Sequence, residues 1–196
     1  MLKGTGWPIG LVIHTHDGAH PTVTETGIEL RVSHRGNAEW TDYWSLGSNG
    51  DYYFIRLFEE ETTDLSWRTS VGHPPRPLWF DIRVWRITET LLHSAALYRE
   101  LGVPPDEPYV LAINHLGLEG REFWTSEAGR FIDRGFICKA ESASWRREVT
   151  QDVVQGSLHD LVRDVSSRLF ALFDFATVGN RVINEISEEF LRRSER

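Results

Sequence analysis

The chain has a single cysteine, Cys138, in 196 residues. One thiol can close no intramolecular disulfide and can build no zinc site on paired cysteines, which fits a reducing compartment. Long apolar runs are missing too. No stretch approaches the ~18 residues that a membrane helix needs, and Met1-Leu-Lys-Gly-Thr-Gly6 lacks the apolar core of a signal peptide. These absences predict a cytoplasmic protein with no membrane partner. Cationic excess is also lacking: 21 Lys and Arg stand against 29 Asp and Glu, a formal charge of −8. Non-specific nucleic-acid binding needs the opposite balance to displace counterions from phosphates, so only a local basic patch leaves nucleic acid open as a partner. Phosphate loops of the Gly-x-x-x-x-Gly-Lys or Gly-x-Gly-x-x-Gly kind are absent.

What is present belongs to a folded globular protein. Apolar residues make up 40%, aromatics 12%, and the length allows one large core or two small ones. No composition shift marks a linker, so residues 1–196 read as one domain. Its place for a sub-boundary is the proline-rich stretch near 70–77.

The clearest segment begins at Phe80. Val84, Ile87, Leu91, Ala95, Tyr98 and Leu101 recur every three or four residues and lay one apolar stripe along a helix. Gly102 stops it, and Pro104-Pro105 prevents its resumption. Tyr109–Asn114 follows as a strand, and Gly117–Gly120 is expected to turn it back into a second strand over Gly120–Trp124. Upstream, Trp7–His14 reads as an opening strand, His14–Thr26 as a loop, and Gly27–Ser33 as a half-buried strand of period two. Asp42–Leu46 and Asp51–Phe58 flank Ser48-Asn49-Gly50, a hairpin in which Asn-Gly can take positive φ at both positions. Downstream, Phe136–Ala140 and Trp145–Val149 read as strands. A helix begins at Ser157 with Asp160 completing a capping box. Asp174-Phe175 breaks it, and a terminal helix carries Val182, Ile183, Ile186 and Phe190. Strands grouped apart from helices predict an α+β fold: antiparallel sheets, a long central helix, and two C-terminal helices packed on one face.

Each candidate for chemistry has a plainer reading beside it. His14 and His16 would face one side of a strand, with Asp17 or His20 able to complete a metal site; the plainer reading is a polar strand end entering a surface loop, and no metal is assigned. Cys138 lies between Ile137 and Lys139 and reads as a small buried apolar residue, not a nucleophile. Glu59-Glu60-Glu61 reads as a solvated run. Arg121, beside the Gly117–Gly120 turn, can hold an anion or simply serve the turn. Arg83, Arg86, Thr90 and His93 share one face of the long helix, with Trp85 at its flank. Arg and Trp are the residues of interface hot spots, and Arg binds phosphate bidentately; alternatively Glu89 pairs with Arg86 or Arg83 on an ordinary solvated helix. Eight tryptophans exceed what one core uses and predict some, Trp124 among them, at a partner surface, a ligand pocket or a dimer interface.

Several short stretches together resemble a known module. They are Gly6-Trp-Pro-Ile-Gly10, Tyr43-Trp-Ser-Leu46 before Asn49-Gly-Asp-Tyr-Tyr53, Phe80-Asp-Ile-Arg83, Leu101-Gly-Val-Pro-Pro105, Gly117–Arg121 and Phe173-Asp-Phe175. This pattern, spread over most of the chain, resembles the region C-terminal to Schlafen-type, AlbA-like DNA-binding domains in uncharacterised bacterial proteins. Its motifs are turns, caps and aromatic anchors. The resemblance implies an accessory sensor, dimerisation or partner-binding module and transfers no catalytic residue.

The expectation is therefore a non-enzymatic interaction or sensing module of a bacterial regulatory or defence-type system, without a cofactor. It would associate with itself or a partner through Arg83, Trp85, Arg86, His93, Arg121 and Trp124. Two other classes stay open. One is a metal-dependent hydrolase acting on nucleotides or nucleic acid, with two or three of Glu119, Glu122, Glu141 and His115 brought together by the fold. The other is a small-ligand-binding domain with an aromatic-lined pocket between helix and sheet.

Overall fold

Alternating apolar and polar residues along Gly27–Ser33 do form a strand, which runs over Gly27–His34 as β2. The computed structural model describes residues 9, 20–34, 37–62, 74, 76–127, 132–175 and 179–194. Its contacts group the chain into two units, Trp7–Trp67, and Arg68–Arg196 with Met1–Gly6. Antiparallel sheets and several helices make the chain α+β.

In the first unit β2 sits within a four-stranded antiparallel meander, between β1 (Thr22–Thr24) and β3 (Asn37–Gly47), with β4 (Tyr52–Ile55) beyond β3. β1 corrects the loop expected over 14–26. Its Thr-Val-Thr sequence suits an extended backbone and pairs Val23 with Ile28. The register places Leu30 opposite Trp44, and Trp44 opposite Phe54. One row of large side chains therefore crosses three strands, and Leu30, Val32 and Trp44 bury there with Tyr52 and Phe54 against them. Asp42 and Arg56 lie on the same face. The Arg56 guanidinium donates to Asp42 at 2.6 to 3.1 Å and lies 5.0 Å from the centre of the Phe54 ring. Gly27 is required by close approach: a Cβ there would lie 2.1 Å from the Leu46 carbonyl oxygen.

The expected hairpin is present, with different turn chemistry. Gly50 alone has positive φ, at 87°, while Asn49 does not. Gly50 N–H donates to Gly47 O and Gly47 N–H to Asp51 O, the three-residue turn with a glycine bulge that matches strand twist. Asn49 instead uses its side chain to accept from Asp51 N–H at 3.1 Å. A one-turn helix α1 (Glu59–Thr62) follows, where the sequence suggests only a solvated acidic run; Glu60 within it is buried. The opening strand expected over Trp7–His14, except Ile9, and most of the connection before Pro77 lie outside the described residues.

The second unit is organised by α2 (Phe80–Glu100), which packs against α3 (Gln151–Gly156), α4 (Leu158–Ala171) and α5 (Asn180–Ser194). α2 ends as its sequence predicts. Gly102, at φ 78°, lets its own N–H reach Arg99 O and the Val103 N–H reach Tyr98 O, which satisfies two terminal carbonyls. Phe123 is the aromatic hub of this unit. It stacks on Phe80 at 5.2 Å and on Phe175 at 4.7 Å, and meets Phe170 and Phe173 at 4.9 and 5.5 Å. Phe173 and Phe175 both reach it because Asp174 between them takes φ 55°.

Strand pairing departs from expectation here. β6 (Tyr109–Leu116) does not fold back on β7 (Glu122–Trp124). It pairs antiparallel with β8 (Ser142–Val149) along all eight residues, while β7 runs parallel to β5 (Pro77–Trp79). Two features favour this arrangement. β8 offers β6 a longer ladder, and β7 in its observed place buries Phe123 completely. The strand expected over Phe136–Ala140 is reduced to one bridge, Ile137 with Glu122, although Cys138 and Phe136 still exchange backbone bonds with 120–123. α3 is an addition to the expected elements; Thr150 caps it by accepting from Val153 N–H. Ser157 makes no side-chain cap, and Asp160 bonds Arg163 instead of completing a capping box.

Candidate functional site

The 3.6-residue period that places Arg83, Arg86, Thr90 and His93 on one helical face holds in α2, but that face is not open to water. Arg83 is 5% exposed and Glu89 1%. Arg86 Nη1 donates to Glu89 Oε2 at 2.7 Å, the pairing of the plainer reading, now with a buried carboxylate. Thr90 bonds back to Arg86 O. Burial pushes His93 down to about 4, so its ring is neutral near pH 7. Trp85 is half-buried, with the Arg193 guanidinium 4.7 Å over its ring.

Arg121 and Trp124 flank the hub strand β7. Arg121 is 3% exposed and donates to two backbone carbonyls, Gly117 O at 2.9 Å and Pro77 O at 3.2 Å. It thereby ties the glycine turn to β5. Trp124 is half-buried under the Arg134 guanidinium at 5.6 Å. Asp81, in the first turn of α2, accepts from Ser126 N–H at 2.9 Å and from the Ser126 hydroxyl, which fastens the segment after β7 to the helix start.

The acidic candidates for hydrolysis do not converge. Glu122 is gripped by Arg134 at 2.7 and 3.0 Å and by Gly135 N–H at 2.8 Å. Burial raises its carboxyl, but those bonds outweigh it and hold the group below the usual carboxylate range. Glu119 and Glu141 face solvent. His115 is buried on β6, and burial, aided by the positive charge of Arg83, pushes it down to about 3. Among the described residues no three His, Cys, Asp or Glu side chains group to hold a metal. Cys138 is buried, its thiol pushed up by burial, and it bonds Ala140 O at 3.4 Å. His20 is exposed, and His14, His16 and Asp17 lie outside the described residues.

One depression lies between the inner face of the β6–β8 ribbon and α4, lined by Ile113, His115, Trp145, Val165, Arg168 and Leu169 among others, with a cavity volume of about 10 Å³. Ligand pockets for molecules of drug size run to about 300–1,000 Å³, whereas this one has room for about one water. Trp145 Nε1–H donates across its edge to Asp164 Oδ2 at 2.8 Å, binding β8 to α4.

The sequence points to exposed aromatics among the tryptophans, yet Trp44, Trp79 and Trp145 are buried. Several of the large apolar side chains facing water stand on or beside strands instead. In the first unit Tyr53, Ile55 and Leu57 are 55, 46 and 45% exposed, alternating with half-buried neighbours. In the second, Val110 and Leu116 on β6 are 51 and 61% exposed. Neither Tyr52–Ile55 nor Tyr109–Leu116 alternates apolar with polar residues, so the sequence pattern does not say which of their side chains the fold leaves open.

Comparison of the chain with models of protein families, with curated proteins and with solved structures finds no match.

Proposed function

We propose that this chain is a non-enzymatic protein-interaction or sensing module, working in a bacterial cytoplasmic regulatory or defence-type system of the kind its resemblance implies. The observation that carries this reading is the pair of outward apolar rows, Tyr53-Ile55-Leu57 and Val110-Leu116. Valine, leucine, isoleucine and tyrosine at about half exposure on or beside a strand supply contact area at small entropic cost when another protein covers them. The polar chemistry turns the other way. Arg121, Glu122, Asp81 and Glu89 each spend their bonds within the fold.

The test is capture by the full chain from bacterial extract, set beside sedimentation of the purified chain. A second chain carries Tyr53→Ser, Ile55→Ser, Val110→Ser and Leu116→Ser. Wild type is expected to associate, with itself or with another protein, and the variant to lose about tenfold or more of that association, since a few apolar anchors dominate most interfaces. A wild-type chain that stays monomeric and captures nothing overturns the reading.

A further inference from the structure

β6 carries no charged residue. Its eight residues, Tyr109-Val-Leu-Ala-Ile-Asn-His-Leu116, hold only a buried histidine and an asparagine among apolar groups, whereas β8 beside it carries Arg146, Arg147 and Glu148 in succession. Edge strands that must stay solitary are protected by charge, proline, bulges or shortness. β8 has the charges, and β6 has none of these devices within its span.

An antiparallel strand spends the N–H and C=O of alternate residues on each side. Among the described residues β8 is the one strand paired with β6, and no strand lies along its other side. The other edge of β8 likewise carries no strand among the described residues, but β8 is fastened to α4 through Trp145 and Asp164 and holds the charges that keep an edge strand solitary. Both ends of the outer face of β6 are apolar and open, at Val110 and Leu116.

We infer that the outer edge of β6 pairs antiparallel with β6 of a second copy of this chain, across a two-fold axis at Ile113, to give a four-stranded sheet ordered β8–β6–β6–β8. The inference rests on the interaction reading above and names its partner and its strand. Two features choose a second copy. The strand is uncharged, so two copies meet without like-charge repulsion. It is also self-complementary: Val110 lies three residues before Ile113 and Leu116 three after, on one face. An antiparallel copy centred on Ile113 therefore sets each Val110 against the other copy's Leu116 and covers the most exposed apolar residues of this unit. Centring on Ala112 would set Val110 against Asn114 and leave Leu116 beyond the strand, opposite Pro108. A two-fold contact of this kind is closed, so it ends at the dimer.

The experiment is sedimentation equilibrium of the full chain and of two charged versions, Val110→Lys with Leu116→Lys, and Val110→Glu with Leu116→Glu. Both positions face water, so circular dichroism and the thermal midpoint should stay as in wild type. Wild type is expected at twice the 22.6 kDa chain mass. Each charged version alone should be monomeric, with a dissociation constant raised about 100-fold or more by like charges set face to face. An equimolar mixture should return to the dimer, because the substituted side chains that meet across the axis then carry opposite charges. Wild type remaining at chain mass overturns the pairing while leaving capture of a different protein to decide the broader reading. A charged version that dimerises as well as wild type confirms self-association but overturns β6 as its seat. A mixture that stays monomeric overturns the register.

Discussion

Lowering the pH from about 7.5 to about 5 should destabilise the unit built on α2, and two histidines set the size of the effect. His93 and His115 are neutral in the fold because burial holds them at about 4 and about 3. Unfolded, each returns to roughly 6.5. Below that value the unfolded chain takes up protons that the folded one refuses, so stability falls as pH drops, and the loss continues until the folded values are reached. At about pH 5 each histidine removes roughly 2 kcal/mol, or about 4 together, which is a large share of the 5–15 kcal/mol typical of a domain. The assay is urea denaturation at the two pH values, kept above the carboxylate range so that Glu122 and Asp164, both held low by their bonds, do not add their own acid loss. His115→Gln should remove about half of the pH difference and the double change with His93→Gln nearly all of it, whatever each does to absolute stability. Equal stability at both pH values in wild type, or greater stability in acid, refutes the burial of these rings.

Other outcomes follow from particular contacts. Phe123→Ala removes the hub ring from a fully buried site touched by four other phenylalanines and should cost about 4 kcal/mol in denaturant titration. Arg56→Ala leaves Asp42, itself largely buried, without that guanidinium and should cost about 3 kcal/mol, with Asp42→Asn in the same background recovering part of it. Gly27→Ala drives a methyl into the Leu46 carbonyl and should lower the melting temperature of the meander sheet by several degrees. Cys138 in the folded protein should react with a thiol reagent slowly and reach full reaction only in denaturant, since the thiolate is both buried and disfavoured.

Local signals in the sequence placed most elements, and long-range ones did not. The meander hairpin, β2, α2 with its glycine stop, and the C-terminal helices all announce themselves within a few residues, through period and turn residues, although the capping box expected at Ser157 and Asp160 does not form. Thr150 capping Val153 was equally local and would have revealed α3 had the threonine been read as a start signal. Pairing was different. Nothing within Tyr109–Leu116 says whether its partner is the nearby Glu122–Trp124 or the distant Ser142–Val149; the choice depends on where Phe123 can bury. The Arg83–Glu89 side of α2 misled for a similar reason. Charged residues at helical spacing look like a solvated face, and only tertiary packing, with Arg86 neutralising Glu89, lets them sit inside. The candidate surface was not legible, because Tyr52–Ile55 and Tyr109–Leu116 are nearly continuous apolar runs that do not mark which of their two sides the fold covers.

The most direct examination of the central claim is hydroxyl-radical footprinting of Tyr53, Ile55, Leu57, Val110 and Leu116, comparing dilute purified chain with the chain at working concentration in bacterial extract. Masking of one or both rows in the extract, with unchanged labelling at the exposed control His20, is the result predicted. Equal labelling of all five side chains in both conditions would contradict the account.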